Sequence, residues 1–254
     1  MYDAIILAGG ENSKSLRRFA AERHEALIDI NGQPMVTYVA RALSASAKVD
    51  RIFVVGPLDS LENCRFPERT TVVQCGKTII DTIVFGMEAI GHTNQVLVVT
   101  ADIPLLTPQA IDDFIEQCKG ADADLYYPIV NKDANERQYP GNKRTYVRIR
   151  EGTFTGGNIF LVKPPIVSPC IHWAKRIINN RKNPLKLAHI LGWVFVFKFL
   201  IGSLALRELE QRVSELLRIH GAVIRSDFPE LGLDVDKPSD LAIVRHIFSS
   251  RLQV

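Results

Sequence analysis

The sequence predicts an α/β fold in which a mainly parallel sheet carries helices on both faces. Residues 4–8 and 96–99 are short, unbroken apolar runs, which is the pattern of strands buried on both faces. Between such runs lie segments whose apolar residues recur at helical spacing. Strands that alternate with helices at short intervals are typical of a parallel sheet covered on both sides.

The first half follows this alternation closely. We predict strands at 4–8, 51–55, 71–73 and 96–100, and helices that begin near Pro34, Thr78 and Thr107. Proline at a first helical position and threonine at a cap favour these helix starts. A short apolar segment at 26–30 ends at the turn pair Asn31 and Gly32.

The second half is less regular. We predict strands at 125–130, 145–149, 159–162, 222–224 and 231–235, a loop at 131–143, a mainly helical insertion at about 164–218 and a final helix from Asp236. The loop is polar and contains the turn residues Pro140 and Gly141. The final helix places Leu241 and Val244 on its inner face.

Composition limits the class of protein. The chain has 254 residues, a net charge of +3 and a pI near 8.7, a charge too mild to predict a nucleic-acid binder. Its four cysteines are widely spaced, which argues against a structural zinc site and favours free thiols in a reducing cytosol. Met1 lies directly before the first strand, so we expect no signal peptide and a cytoplasmic protein.

One apolar segment, residues 190–206, is nearly long enough to span a membrane. Lys198 near its middle would cost about 2.5–3.5 kcal/mol in bilayer insertion, and Gly192 and Gly202 interrupt it. We therefore predict no transmembrane segment and interpret these residues as a buried core helix. Peripheral membrane docking and a homodimer interface are the alternatives.

The glycine turn at Gly9 and Gly10 predicts a phosphate site. Glycine lets a backbone turn sharply and approach a ligand closely, and this turn follows a buried strand. Lys14 and Arg17 follow shortly after it, so free backbone N–H groups and cationic side chains together suit a polyphosphate. The alternative is an ordinary turn followed by solvated basic residues.

Three aspartates predict a metal site. Asp102 lies just past the strand at 96–100, and Asp234 and Asp236 project from the same side of an extended chain. Carboxylates and substrate phosphates are the usual ligands of Mg²⁺, which would neutralise the charge that develops as pyrophosphate leaves. The alternatives are a turn residue at Asp102 and a helix cap at Asp236.

Two arginines in the second half predict an anionic acceptor. Strand alternation places Arg144 and Arg148 on one side of the chain, together with Tyr146. Guanidinium groups bind phosphate and carboxylate groups bidentately, so the pair suits a clamp. The alternative is a solvated strand face.

Taken together, four motifs resemble those of the MobA-like NTP transferases, which are nucleotidyltransferases of the molybdenum-cofactor guanylyltransferase type. The motifs are Leu7-Ala8-Gly9-Gly10, Asn31-Gly32-Gln33-Pro34-Met35, Thr100-Ala101-Asp102-Ile103-Pro104 and Asp234-Val235-Asp236-Lys237-Pro238-Ser239-Asp240-Leu241. The resemblance implies a Rossmann-like three-layer α/β/α sandwich of the GT-A kind. It implies one domain over residues 1–254, with a nucleotide-binding half (1–130) and an acceptor half (131–254).

The resemblance also implies roles for individual residues. The nucleotide would be bound by Leu7, Ala8, Gly9, Gly10, Gly76, Lys77, Thr82 and Ala101. Catalysis would involve Lys14, Arg17 and Asp102, and Mg²⁺ would be bound by Asp102, Asp234 and Asp236. The acceptor would meet Gly157 and Asn158, beside Arg144 and Arg148. The implied partners are an NTP and a small phosphorylated acceptor, whose phosphate attacks the α-phosphorus and releases pyrophosphate. A nucleotide-sugar-dependent glycosyltransferase of the same fold is the alternative. Its metal motif would be Asp122-Ala123-Asp124 or Asp234-Val235-Asp236.

Departures from the family pattern bear on activity. Members usually carry an arginine and a glycine where this chain has Lys14 and Leu16, and a lysine where it has Glu25. A carboxylate in place of that lysine reverses the local field, which weakens triphosphate binding unless Mg²⁺ or neighbouring arginines compensate. Two further hypotheses follow: Glu25 is an additional metal ligand, or the protein binds nucleotides without turnover.

Overall fold

The computed structural model describes residues 1–91, 93–167, 169–170, 173 and 192–251. Its centre is a nine-stranded sheet with the strand order β5-β4-β1-β6-β10-β7-β9-β8, and β11 pairs with the other edge of β7. The strands are β1 (Tyr2–Leu7), β4 (Val49–Gly56), β5 (Thr70–Gln74), β6 (Val96–Thr100), β7 (Leu125–Asn131), β8 (Val147–Ile149), β9 (Gly152–Gly156), β10 (Ile159–Val162) and β11 (Gly221–Ser226). A small separate hairpin joins β2 (Asp29–Ile30) to β3 (Gln33–Pro34).

Helices cover both faces of this sheet. They are α1 (Met35–Ala45), α2 (Leu58–Leu61), α3 (Ile79–Ile90), α4 (Pro108–Cys118), α5 (Lys132–Gln138), α6 (Trp193–Leu200), α7 (Leu206–Leu217) and α8 (Pro238–Arg251). Val39 of α1 and Phe114 of α4 are fully buried in the core cluster on one face. Ile83 of α3 packs against a second cluster on the opposite face, around Ile5 and Val98. The predicted mixed α/β fold with a mostly parallel sheet is therefore confirmed.

The register of β1 and β6 brings two distant parts of the sequence together. The strands are parallel, and Leu7 lies opposite Thr100 at their carboxyl ends. The Ala101 N–H donates to the Leu7 carbonyl oxygen at 3.2 Å, which continues the pairing by one residue. The chain leaves both strands at the same edge, so the glycine turn and Asp102 lie side by side.

The carboxyl-terminal part of the chain returns to this edge. The Val235 N–H donates to the Asp102 carbonyl oxygen at 2.9 Å. Val235 is completely buried with Leu233, Leu241 and Met35 in a cluster that joins α8 to the N-terminal half. This buried anchor fixes the two aspartates on either side of Val235 next to Asp102.

Two predicted elements of the second half are wrong. The loop predicted at 131–143 contains helix α5, because the Asn131 Oδ1 accepts the Asp133 N–H at 2.9 Å and caps its first turn. The strand predicted at 231–235 is absent from the described structure. A 3₁₀ turn at Pro229–Leu231 precedes an irregular stretch, and the apolar side chains there fill the core rather than a sheet.

The prediction that the apolar segment 190–206 forms a buried core helix is also wrong. Within residues 192–206, helix α6 contains no buried residue, and Trp193, Phe197 and Leu200 are exposed. Residues 190–191 lie outside the described part of the chain, as do 168, 171–172 and 174–189 of the predicted insertion at 164–218. None of the helices in the described ranges is both long and apolar enough to cross a bilayer.

Candidate active site

A cavity of about 350 Å³ opens at the carboxyl ends of β1 and β6. Among the described residues, its lining includes each predicted nucleotide-binding residue together with Asp102, namely Leu7, Ala8, Gly9, Gly10, Gly76, Lys77, Thr82, Ala101 and Asp102. The structure therefore brings together groups that are widely separated in the sequence. Their roles in binding stay predictions.

Glycines let two backbone segments form the wall of this cavity. A Cβ atom at Gly76 would lie 2.3 Å from the Cβ and 2.8 Å from the carbonyl carbon of Asp81, so a side chain there would collide with the start of α3. A Cβ at Gly9 would lie 3.1 Å from the Cβ of Cys75. Thr78 caps α3 by accepting the Asp81 N–H at 3.2 Å. The positive end of the α3 dipole therefore faces the cavity, where it favours an anion.

Asp102, Asp234 and Asp236 meet beside this cavity. One carboxylate oxygen of each lies within 4.8 Å of the others. Asp102 follows β6 directly, and its Oδ1 accepts the hydroxyl hydrogen of Thr100. The Val235 N–H bond to Asp102 holds the other two in place. Convergence of these aspartates, on which the sequence interpretation depends, is thus present in the structure.

Burial and the close approach of the acids raise the pKa values of carboxyl groups in this site. Burial, with a further contribution from the charge of Asp234, raises the pKa of Asp102 to about 7. Burial and the charges of Asp102 and Asp236 raise the pKa of Glu25 to about 7. The pKa of Asp234 is also raised, mainly by burial, although Arg144 opposes the shift. The cluster therefore holds protons near neutral pH that a cation would displace.

Arg144 forms an ion pair with Asp234. Its guanidinium contacts the Asp234 carboxylate and also donates to the Asp234 carbonyl oxygen at 3.2 Å. The two side chains are only 12% and 14% exposed, so each charge depends on the other. Arg144 thus neutralises part of the cluster and positions one of its carboxylates.

We expect Arg144→Ala to destabilise the ligand-free protein. Removing one partner leaves the Asp234 charge uncompensated, which should cost about 3 kcal/mol and lower the melting temperature by about 6–12 °C. Thermal unfolding at neutral pH measures this change. The double variant Arg144→Ala/Asp234→Ala is the control and should regain part of the lost stability. If it is no more stable than Arg144→Ala alone, the pair is not the cause.

Several predicted residues lie away from the cavity wall. Lys14 is exposed, and Arg17 donates from its Nε to the Asn12 carbonyl oxygen at 2.9 Å, so neither is among the lining residues described. The predicted strand that would align Arg144 with Arg148 covers only 147–149. Arg148 instead packs against Gly202, at the end of α6. The structure does not form the expected two-arginine clamp.

The loop predicted to meet the acceptor joins β9 to β10 near the carboxyl end of β6. The Asn158 carbonyl oxygen accepts the Thr100 N–H at 3.0 Å, and the Asn158 N–H donates to the Leu231 carbonyl oxygen at 2.7 Å. The Gly157 N–H donates to the Pro128 carbonyl oxygen at 2.9 Å. These bonds hold the loop between the three aspartates and the second half of the sheet.

One of the two alternative Asp-x-Asp motifs, Asp122-Ala123-Asp124, lies away from the cavity. β6 and β7 are both antiparallel to β10 and therefore run in the same direction. Asp124 directly precedes β7, whereas Asp102 follows β6, so the two lie at opposite ends of these parallel strands. Asp122 and Asp124 instead pair with Lys163 at 3.0 and 3.1 Å.

Sequence reasoning missed the supporting groups of the site. Thr100 is predicted as a strand end and as part of a family motif, but its hydroxyl group also donates to Asp102. The signal for Thr100 was its place two residues before the acid at a strand end. The Arg144–Asp234 pair has no local signal because ninety residues separate its members.

The donor set fits a divalent cation. Three carboxylates that each place one oxygen within 4.8 Å of the others are hard oxygen ligands of the kind that Mg²⁺ prefers. Among the described residues that line the cavity, Lys77 is the one cation, against Glu11, Glu25 and Asp102. A triphosphate in this cavity would meet an excess of negative charge, which a bound metal ion would reverse.

Comparisons with known proteins show the family of the chain. A family model described as the MobA-like NTP transferase domain matches residues 4–217. A probable molybdenum cofactor guanylyltransferase of Thermococcus sibiricus is 24% identical over 192 residues, which cover 72% of this chain and 94% of that protein. A 2-C-methyl-D-erythritol 4-phosphate cytidylyltransferase of Clostridium perfringens is 27% identical over 120 residues, which cover 44% of this chain and 52% of that protein.

A solved structure is similar over nearly the whole chain. It is described as a hypothetical transferase from Thermus thermophilus and is 36% identical, with a TM-score of 0.84. The alignment covers 94% of this chain and 99% of that one. The match of the family model to most of the sequence, together with the converging motifs, shows that the chain belongs to the MobA-like NTP transferase family.

Proposed function

We propose that this protein is a Mg²⁺-dependent nucleotidyltransferase that moves a nucleoside monophosphate from an NTP to a small phosphorylated acceptor. The observation that carries this proposal is the meeting of Asp102, Asp234 and Asp236 beside the glycine-lined cavity. The family and the named relatives support transfer from an NTP. The metal and the acceptor are our own inference.

The reaction is an in-line displacement at phosphorus. An oxygen of the acceptor phosphate forms a bond to the α-phosphorus, and the bond from that phosphorus to the bridging oxygen breaks, so pyrophosphate leaves with the electron pair. Gly9, Gly10 and Lys77 would bind the nucleotide phosphates, and the N-terminus of α3 would add its dipole. The three aspartates would hold Mg²⁺, which supplies neutralisation of the charge on the leaving group.

The acceptor would approach from the side of Asn158. Its loop lies beside the end of β6, and its backbone is fixed by the bonds to Thr100 and Leu231. Arg144 is tied to the acid cluster through its ion pair with Asp234. We place the acceptor phosphate between this loop and the acids, where the α-phosphorus would be exposed to attack.

A coupled assay for pyrophosphate tests the proposal. Each of the common NTPs is incubated with Mg²⁺ and a panel of sugar and alcohol phosphates. We expect release with one NTP and one acceptor class, and loss of release when EDTA removes the metal. Silence over the whole panel would count against the enzyme, and equal release with EDTA would count against the metal. Stronger thermal stabilisation by UDP-sugars than by NTPs would favour a glycosyltransferase.

We expect Mg²⁺ affinity to rise with pH. Because the pKa values of Asp102 and Glu25 are raised to about 7, protons occupy the cluster below that pH and must leave when the metal binds. Displacing one proton predicts about tenfold tighter binding at pH 8 than at pH 6. Titration calorimetry in buffers of different ionisation enthalpy counts the released protons. A pH-independent affinity without proton release would contradict the prediction.

Glu25 favours one alternative function, a nucleotide-binding protein without turnover. Its carboxylate faces the glycine turn, since a Cβ at Gly10 would lie 3.5 Å from the Glu25 Oε2. An acid there repels the phosphates that the turn would bind. Tight NTP binding with no pyrophosphate release under any condition of the panel would favour this alternative over the transferase.

A further inference from the structure

Helix α6 presents a continuous apolar stripe to solvent. Five large apolar side chains are at least 60% exposed: Trp193, Val194, Phe197, Leu200 and, just after the helix, Ile201. Their spacing places all of them on one side of a helix. Contiguous exposed apolar side chains of this size mark an interaction surface more often than ordinary solvent-facing structure.

The carboxyl end of α6 is attached to the fold. Lys198 pairs with Glu208 of α7, and the Ser203 N–H donates to the Lys198 carbonyl oxygen at 2.9 Å. Leu204 is buried, and its carbonyl oxygen accepts the Arg150 N–H at 3.0 Å. These contacts hold the carboxyl end of the helix against β8.

Cations border the stripe. The side chain of Arg148 packs against Gly202, and Arg150 donates from its Nη2 to the Ser203 carbonyl oxygen at 3.4 Å. Arg207, at the start of α7, is exposed. In the sequence, residues 152–207 contain eight lysines and arginines and no aspartate or glutamate; five of the eight lie outside the described residues, and Glu151 and Glu208 flank the range. The stripe therefore belongs to a basic region of the chain.

The chain that follows α6 lies near the carboxyl ends of the strands, which is the end of the sheet at which the candidate active site opens. Phe154 of β9 pairs with Asn131, the last residue of β7, so the turn between β8 and β9 extends beyond the carboxyl end of β7. Arg150, in that turn, binds the chain that follows α6. A surface that met the stripe would therefore lie near the entrance side of the molecule.

We propose that the α6 stripe docks reversibly onto an anionic lipid surface. Tryptophan and phenylalanine on an apolar helix face suit the boundary between headgroups and acyl chains, and a basic border suits anionic headgroups. The helix is too short to span a bilayer and would lie in the plane of the surface. A second copy of the chain is the less suitable occupant, because pairing two stripes would bring two basic borders together.

Tryptophan fluorescence tests the docking directly. The chain has two tryptophans, so Trp173→Phe leaves Trp193 as the single reporter. We expect its emission to shift to the blue with vesicles containing about 30% phosphatidylglycerol in phosphatidylcholine, but not with phosphatidylcholine alone. Sodium chloride at about 0.5 M should reverse the shift. An unchanged spectrum with anionic vesicles would overturn the proposal.

Matched variants separate docking from general effects of charge. Val194→Glu/Leu200→Glu should lower the fraction of full-length protein that floats with anionic vesicles at least about tenfold. Leu58→Glu/Phe85→Glu adds the same two charges at exposed apolar residues of α2 and α3 and should leave flotation unchanged. Flotation retained by Val194→Glu/Leu200→Glu would overturn the proposal. So would a concentration-dependent dimer that Val194→Glu/Leu200→Glu abolishes, in the absence of vesicle binding. None of these readouts depends on nucleotidyl transfer.

Discussion

Asp102→Asn is expected to reduce Mg²⁺-dependent pyrophosphate release by about 10²–10⁴-fold while leaving the protein at least as stable as the unmodified chain. Asp102 is the acid that joins the two parts of the site, because it follows β6 and its carbonyl oxygen binds the Val235 N–H. Asparagine keeps the shape of the side chain but removes the charge that a metal ion would need. The loss should therefore appear in turnover and in Mg²⁺ affinity.

The stability readout separates this chemical loss from unfolding. The raised pKa of Asp102, about 7 against an ordinary 3.8, means that the folded protein favours the protonated acid. The stabilisation that comes from the protonated Asp102 is complete below the ordinary pKa and is lost as the pH rises through about 7. At about pH 8 the ionised acid is destabilised by its burial and by repulsion from Asp234, so Asp102→Asn should melt at the same temperature or a few degrees higher.

Asp124→Asn is the matched control for this experiment. Asp124 lies at the opposite edge of the sheet, where it pairs with Lys163 and accepts the His220 N–H at 2.9 Å. Its replacement should leave pyrophosphate release within about twofold and lower stability slightly. Equal loss of activity in both variants, or full activity in Asp102→Asn, would contradict the proposed metal site.

Local patterns were sufficient for the strands that build the site. Residues 96–99 are apolar without interruption because β6 lies at the centre of the sheet with both faces covered. The same holds for β1, so the position of the glycine turn and of Asp102 at one edge followed from the sequence. The aspartate cluster was predictable because each of its parts carries its own motif.

The errors occur where local pattern does not report the environment. Helix α5 is polar and short, so it lacks apolar periodicity, and its capping residue Asn131 was its one local signal. Leu233 and Val235 are as apolar as strand residues but serve a core contact without sheet pairing. Helix α6 has the composition of a core helix, and composition alone does not distinguish a core from a surface that meets a partner.

Glu25→Lys is expected to tighten NTP binding in the absence of Mg²⁺ by at least about tenfold, which corresponds to about 1.4 kcal/mol. Glu25 lines the cavity, and its N–H donates to the Gly10 carbonyl oxygen at 3.2 Å, so its side chain stands beside the glycine turn. The substitution removes a carboxylate that acts against the triphosphate and introduces a cation. Since the pKa of Glu25 is about 7, the gain should be larger at about pH 8 than at about pH 6.

Displacement of a fluorescent NTP analogue measures this affinity. Glu25→Gln, which only removes the charge, should fall between the two proteins, and the exposed Glu62→Lys, which changes the net charge equally, should have no effect. If Glu25 is instead an additional metal ligand, Glu25→Lys will bind the NTP more tightly but release pyrophosphate more slowly with Mg²⁺. Unchanged or weaker metal-free binding would contradict the electrostatic argument, because the reversed charge would then not act on the phosphates.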